Sequence, residues 1–161
     1  MLEDSKFKEV LKNTPLVSID LLVIDSLNRV LLGLRINEPG KGLWSVPGGR
    51  IYKNETLKKA FKRISQNELG INLDVKTLIF KGIYEHFYDE NFFQDENINT
   101  HYITIACEVR LPVASIIHNN SQHIEYKFFE KNELLRSPIV LENTKKFFDG
   151  EYDDLFTFFT K

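Results

Sequence analysis

Glu68 breaks the pattern around it. From Thr56 to Leu69 the apolar residues Leu57, Ala60, Phe61 and Ile64 recur at helical spacing while Lys58, Lys59 and Lys62 fall elsewhere, which predicts a helix with one buried stripe. At about 100° per residue, Leu57, Phe61 and Ile64 mark the centre of that stripe, and Glu68, four residues beyond Ile64, lands on it. Burying a carboxylate is costly without a cation, an arginine or a metal beside it. From the helix alone a second outcome stays open, in which Glu68, in the last turn, bends out to solvent or pairs with a lysine.

Other side chains capable of chemistry are scattered along the chain. Gln122 and His123 close a polar loop just before a strand; histidine is the commonest general base, yet a histidine in a loop is usually only solvated. Arg35 ends a β-rich run and Arg50 follows the pair Gly48-Gly49. A surface arginine is by default a solvated charge, and that reading suits Arg29 and Arg110. Asp20 interrupts an apolar strand between Ile19 and Leu21, where alternation allows it to face solvent. His86 and Tyr102 suit a site or a core position with a satisfied polar tip, and Phe7 on a leading helix reads as core. A formal net charge of −2 gives no global field for a nucleic-acid backbone, so an anionic ligand must be held by a local arginine cluster or a metal, which points to a small molecule rather than nucleic acid.

The elements that must position these residues follow from the same periodicities. A chain of 161 residues with 42% hydrophobic and 27% charged residues reads as one globular domain over 1–161. Phe7, Val10 and Leu11 predict a leading helix over 5–13, closed by Asn13-Thr14-Pro15. Leu16 to Ile24 and Val30 to Leu34 read as a hairpin around Asp25-Ser-Leu-Asn-Arg29, and Trp44-Ser-Val46 as a brief strand running into a glycine-rich loop. Gly70 stops the carboxylate-bearing helix. Strands are predicted near 78–87, 101–110 and 124–130, with loops over Asp89 to Asn99 and Ser115 to Gln122, and the chain from Glu130 onward reads as helical. Cys107, the one cysteine, reads as a buried small hydrophobe. No apolar run is long enough to span a bilayer and the first residues are acidic rather than leader-like, so no membrane partner is expected and a cytoplasmic location is.

The run Gly49, five residues, Glu55, seven residues, Arg63, four residues, Glu68, then Gly70-Ile71 resembles the Nudix box, G-x5-E-x7-R-E-U-x-E-E-x-G-U with U aliphatic. Ile64, Ser65 and Asn67 depart from it, so two glutamates of the usual metal site are missing. That pattern of loss is similar to the GDP-mannose mannosyl hydrolase branch of the superfamily. Thr14-Pro-Leu-Val-Ser-Ile-Asp20, Leu43-Trp-Ser-Val-Pro-Gly-Gly-Arg50, His86-Phe-Tyr-Asp-Glu-Asn91, Thr100-His-Tyr102 and Gln122-His123 fit the same branch in order. The resemblance runs from about Phe7 to about Glu130.

What the resemblance implies is specific. The fold would be the α+β Nudix fold, a mixed sheet sandwiched between helices. Mg²⁺, with Mn²⁺ as the alternative, would be held by Glu68, the Gln122 side chain and the Gly48 carbonyl, all hard oxygen donors. Glycine at 48 would let that carbonyl turn to the metal. Arg35 and Arg50 would clamp the departing diphosphate, His123 would act as general base, and Asp20, His86, Tyr102 and Phe7 would line the substrate. Arg63 would support the loop and helix; Glu55, at the helix start, is explained by the helix dipole. The implied reaction is hydrolysis of GDP-mannose or a related GDP-hexose to GDP and free hexose, by water attacking the anomeric carbon with inversion, in a homodimer. Two rivals remain: an ordinary Nudix phosphoanhydride hydrolase attacking phosphorus, and a catalytically inactive nucleotide-binding module.

Overall fold

The computed structural model describes residues 3–111 and 123–150. Its centre is β1 (Leu16–Ile24), whose apolar residues point alternately to the two sheet faces. β1 runs parallel to β6 (Thr100–Arg110), in register from Leu16 opposite Tyr102 to Ile24 opposite Arg110. Its end pairs antiparallel with β2 (Val30–Arg35), and its early part with β4 (Gly48–Arg50), Asp20 lying opposite Gly48. β3 (Trp44–Ser45) and β7 (His123–Phe129) both pair with β2, and β5 (Ile79–Tyr88) pairs antiparallel with β6. The result is a seven-stranded mixed sheet in the order β3-β2-β1-β6-β5, with β4 on β1 and β7 on β2 off that path. β5 forms one end of it, and its ladder with β6 carries a bulge at Lys81, between Phe80 and Gly82.

Helices cover both faces, as expected. α2 (Leu57–Leu69) packs Ala60, Phe61, Ile64 and Leu69 on Ile19, Leu21, Val23 and Leu31. Thr56 caps it, its hydroxyl accepting from the Lys59 N–H, and Gly70 ends it in the left-handed conformation at φ 71°. On the other face, Leu22, Leu32, Tyr84 and Phe129 meet Leu134, Val140 and Phe147 from α3 (Lys131–Arg136), α4 (Glu142–Lys145) and the segments around them. α1 (Asp4–Asn13) seats Leu11 on Leu16 and Ile98, with Phe7, Val10 and Tyr102 alongside.

Four sequence expectations are corrected. Leu57 is 58% exposed: contact with the sheet starts one turn later, so the buried stripe is Ala60, Phe61, Ile64, Ser65, Glu68 and Leu69. The glycine-rich loop after Trp44 is itself a strand, β4, because β1 offers it an open ladder. Among the described residues after Glu130, where helix was expected throughout, there are two short helices, α3 and α4. Ser137, ahead of Pro138, ends α3, and after a turn at Pro138-Ile139 Val140 bridges to Trp44, whose N–H donates to the Ile139 carbonyl (2.9 Å) while its carbonyl accepts from Leu141 (3.0 Å). Arg29 is no solvated charge: its guanidinium pairs at 2.7 Å with the buried carboxylate of Asp25, fixing the hairpin turn, and lies over the Phe128 ring. A 3₁₀ turn at Val75–Thr77 was not foreseen. The loop Ser115 to Gln122 lies outside the described residues. Among the described residues no helix is long and apolar enough to cross a membrane.

Candidate active site

Glu68 does not bend out to solvent. It is 1% exposed, and its Oε2 lies 3.1 Å from Nδ1 of His123, which is equally buried. His123 is the first residue of β7, opposite Arg35, rather than a solvated loop residue. Its ring occupies space that only a glycine at position 33 leaves open: a Cβ there would stand 2.5 Å from the ring. The Tyr126 hydroxyl donates to the Glu68 carbonyl (2.9 Å), so at 3.3 Å from Nδ1 it presents a lone pair. With that lone pair and the Glu68 carboxylate both facing Nδ1, the proton of neutral His123 belongs there. Nε2 is then an acceptor, 3.4 Å from the Ser45 hydroxyl. The pair is thus a histidine oriented by a carboxylate, with its basic nitrogen directed at a weakly held hydroxyl.

The second group sits where β1 meets β4. Asp20 points to the sheet face shared by Leu22, where it is half-buried, and desolvation pushes its carboxyl up to about 7, against the pull of the Arg35 guanidinium and with the push of Glu68. A Cβ on Gly48 would stand 2.3 Å from Asp20 Oδ1 and 2.9 Å from the Ile19 carbonyl. The close approach of Asp20 therefore explains this glycine; its φ is not left-handed, so freedom to turn the carbonyl does not. Arg35 is anchored by Nε to the Pro39 carbonyl at 2.8 Å. Burial raises the Tyr102 phenol, opposed by Arg50 and Arg35. Arg50 stacks at 4.0 Å over Phe7, whose ring also packs on Phe93 at 5.6 Å, so Phe7 joins a cation–aromatic stack rather than plain core.

His86 lies on the same face. It is 3% exposed, its Nδ1 is 3.5 Å from the Thr104 hydroxyl, and Thr104 meets Ser18 at 2.9 Å. Burial, then the charge of Lys146, lowers it to about 4, so it is neutral near pH 7, and its Nε2 has no hydrogen-bond partner among the described residues. Sequence reasoning missed three residues here: Ser45 and Tyr126 around His123, and Tyr88, whose phenol lies in the field of Asp20. Tyr126, three residues after His123 in a strand, carried no periodic signal. Tyr88 stood within a matched segment, and only its alternation with His86 could have flagged it.

The box residues brace this arrangement. Arg63 makes two 2.8 Å bonds to the Glu55 carboxylate, donates to the Arg50 carbonyl at 2.7 Å and lies over Tyr52. Glu55 precedes the cap and is absent from the first helical turn, so its position is explained by Arg63 rather than by the helix dipole. Ile64, in place of a box glutamate, is buried, with Cγ1 3.2 Å from where a Cβ of Gly49 would be; Asn67 is exposed. Among the described residues no group of three or more His, Cys, Asp or Glu side chains could hold a metal, so a metal here would depend on Glu68 with carbonyl and amide oxygens, and Gln122 is outside the described residues. The donor chemistry fits a hard cation: Glu68 is a buried carboxylate whose charge also pushes on Asp20, a repulsion that a divalent ion relieves. A cavity of about 390 Å³ beside Lys12, Asp89 and Glu96 shares none of these residues.

A mixed sheet between helices, with an arginine-braced loop–helix unit presenting one buried carboxylate, defines a class of α+β hydrolase. The chain belongs to the Nudix family: the NUDIX domain profile matches residues 14–149. It is 41% identical over 128 residues to the low-salt glycan biosynthesis protein Agl8 of Haloferax volcanii, covering 79% of this chain and 78% of that one. An ADP-ribose pyrophosphatase of Methanocaldococcus jannaschii is 29% identical, over 74% of this chain and 64% of its own. In fold the chain is similar to a MutT protein from Methanosarcina mazei, with TM-score 0.66 at 21% identity over 84% of this chain and 92% of that one. The NUDIX domain of Shewanella oneidensis NrtR, solved with ADP-ribose, gives 0.63 at 14% identity, over 91% and 95%.

Proposed function

We propose that this Nudix hydrolase releases the hexose from a nucleoside diphosphate hexose, GDP-mannose or a related GDP-hexose, by water attack at the anomeric carbon with inversion. The observation that carries the reading is the buried Glu68–His123 pair, with the lone pair of His123 on Nε2. A base is present where the box carboxylates that would assemble a water beside phosphorus are replaced by buried Ile64 and exposed Asn67. The glycan-related name of the 41% identical relative accords with a sugar nucleotide.

In this mechanism the attacking water takes the place at Nε2 that Ser45 Oγ holds at the long distance of 3.4 Å, and His123 accepts its proton while Glu68 balances the imidazolium. Arg35 and Arg50 draw the departing diphosphate, whose negative charge grows as the bond to carbon breaks. Asp20, His86, Tyr102 and Phe7 line the substrate, His86 as a neutral hydrogen-bonding group. Glu68, with the Gly48 carbonyl and Gln122, would hold Mg²⁺ or Mn²⁺, which supplies positive charge to the diphosphate. A cytoplasmic homodimer completes the reading.

Reaction in ¹⁸O-labelled water tests it. Label in the released hexose and none in the nucleotide is expected; label in a phosphate product would instead establish attack at phosphorus, the reading favoured by the relative named as an ADP-ribose pyrophosphatase. Absence of turnover on every nucleotide derivative would leave a binding module.

A further inference from the structure

Arg50 rests on an aromatic ring. Its guanidinium lies 4.0 Å over Phe7, and among the described residues it makes no ion pair or hydrogen bond, whereas Arg63 directs its donors to Glu55 and the Arg50 carbonyl. A ring carries the charge on its face, which leaves the N–H donors free for an anion. The place of that ring therefore aims the arginine. Phe7 stands one turn before Leu11, which seats the second half of α1 on Leu16 and Ile98. The first half is held by the connection from β5 to β6, residues 89–99, which is longer than the roughly two to five residues that a hairpin needs. Asn91, 1% exposed, folds that connection: its Oδ1 accepts from the Phe93 N–H at 2.9 Å, and its Nδ2 donates to the Asp95 and Ile98 carbonyls, both at 2.7 Å. The loop so folded reaches the first half of α1 at two points. Phe93 packs on Phe7 with ring centroids 5.6 Å apart, and Asp95 pairs with Lys8 at 2.6 Å.

We propose that Phe93 is a positioning residue for Arg50: the loop folded around Asn91 and latched to Lys8 presses Phe93 on Phe7, and Phe7 carries the guanidinium with its donors open to a diphosphate. The inference rests on the reading of Arg50 as a clamp on the diphosphate. A residue needed only to fill space between α1 and the loop would be served by leucine, whereas Phe93→Leu removes the ring against which Phe7 is set.

Two measurements decide it. In the ligand-free protein, the Nε–H resonance of Arg50, assigned by its loss in Arg50→Lys, is expected to move in Phe93→Leu and to stay in place in the exposed loop control Glu96→Ala. The movement is expected to vanish in a Phe7→Leu background; an unmoved resonance, or one that moves equally without the Phe7 ring, overturns the proposal. The second measurement is the affinity for GDP with Mg²⁺, read by calorimetry. Phe93→Leu is expected to weaken it by roughly three- to tenfold and to have almost no effect in an Arg50→Ala background. An equal loss in both backgrounds means that Phe93 acts through general stability, which overturns the proposal. If Arg50→Ala itself binds GDP as the parent does, the diphosphate reading falls, and the resonance alone decides the positioning. If Phe93→Leu does not fold, Lys8→Met, which removes the ion pair to Asp95, is expected to move the same resonance, and an unmoved one overturns the proposal.

Discussion

Gly33 and His123 are ninety residues apart in sequence, and each explains the other. With a Cβ 2.5 Å from the imidazole, Gly33→Ala must move the ring off Glu68 or Ser45, so kcat is expected to fall toward that of His123→Gln, roughly 10²–10⁴-fold below the parent, although residue 33 touches no substrate. Steady-state kinetics beside a melting curve check this; parent-like kcat in a folded Gly33→Ala protein would remove His123 from the chemistry. Glu68→Gln is expected to keep the fold while nearly abolishing turnover and weakening Mg²⁺ binding, read by calorimetry, since it removes the one carboxylate of the proposed metal set. The position of Glu68 was legible because a helix has a period against which a misplaced charge stands out. The ring pocket of His123 was not, because a strand glycine signals close approach without saying of what.

At the scale of elements, the departures from the box belong to the packing of α2. Ile64 rests on Gly49 inside the core, so Ile64→Glu, which writes the common box residue back in, is expected to destabilise the protein by about 3 kcal/mol or more. Urea unfolding measures this, and a loss below about 1 kcal/mol would show that the site tolerates a second carboxylate. β1, β2 and α2 were readable with close boundaries, since each carries its own alternation or stripe and its own stop. β4 was not: three residues, two of them glycine, have no pattern, and they become a strand only because Ser18 to Asp20 offer partners. The break after α3 was available in Pro138, whereas the ladder to Trp44 depends on a contact almost a hundred residues away.

For the whole molecule, buried His86 and half-buried Asp20 set opposite slopes of stability against pH. His86 is lowered from 6.5 to about 4, so between those values the unfolded chain binds more protons and stability is lost as pH falls. Asp20 is raised from 3.8 to about 7, so the folded chain binds more protons and stability is lost as pH rises through that window. Each effect is at most a few kcal/mol, at about 1.4 kcal/mol per unit. The parent is expected to show a shallow profile between pH 4 and 6.5, His86→Phe a stability that declines with pH, and Asp20→Asn one that climbs. Chemical denaturation at several pH values measures all three, and identical slopes would show that neither group is held as described. The same sheet leaves Phe80, Ile83 and Phe87 of β5 exposed at its edge. A straight, greasy outer strand invites another chain to add itself, the first step toward fibrils. The kink at Lys81, which sets an extra residue and a charge into that border, denies an incoming strand a continuous template.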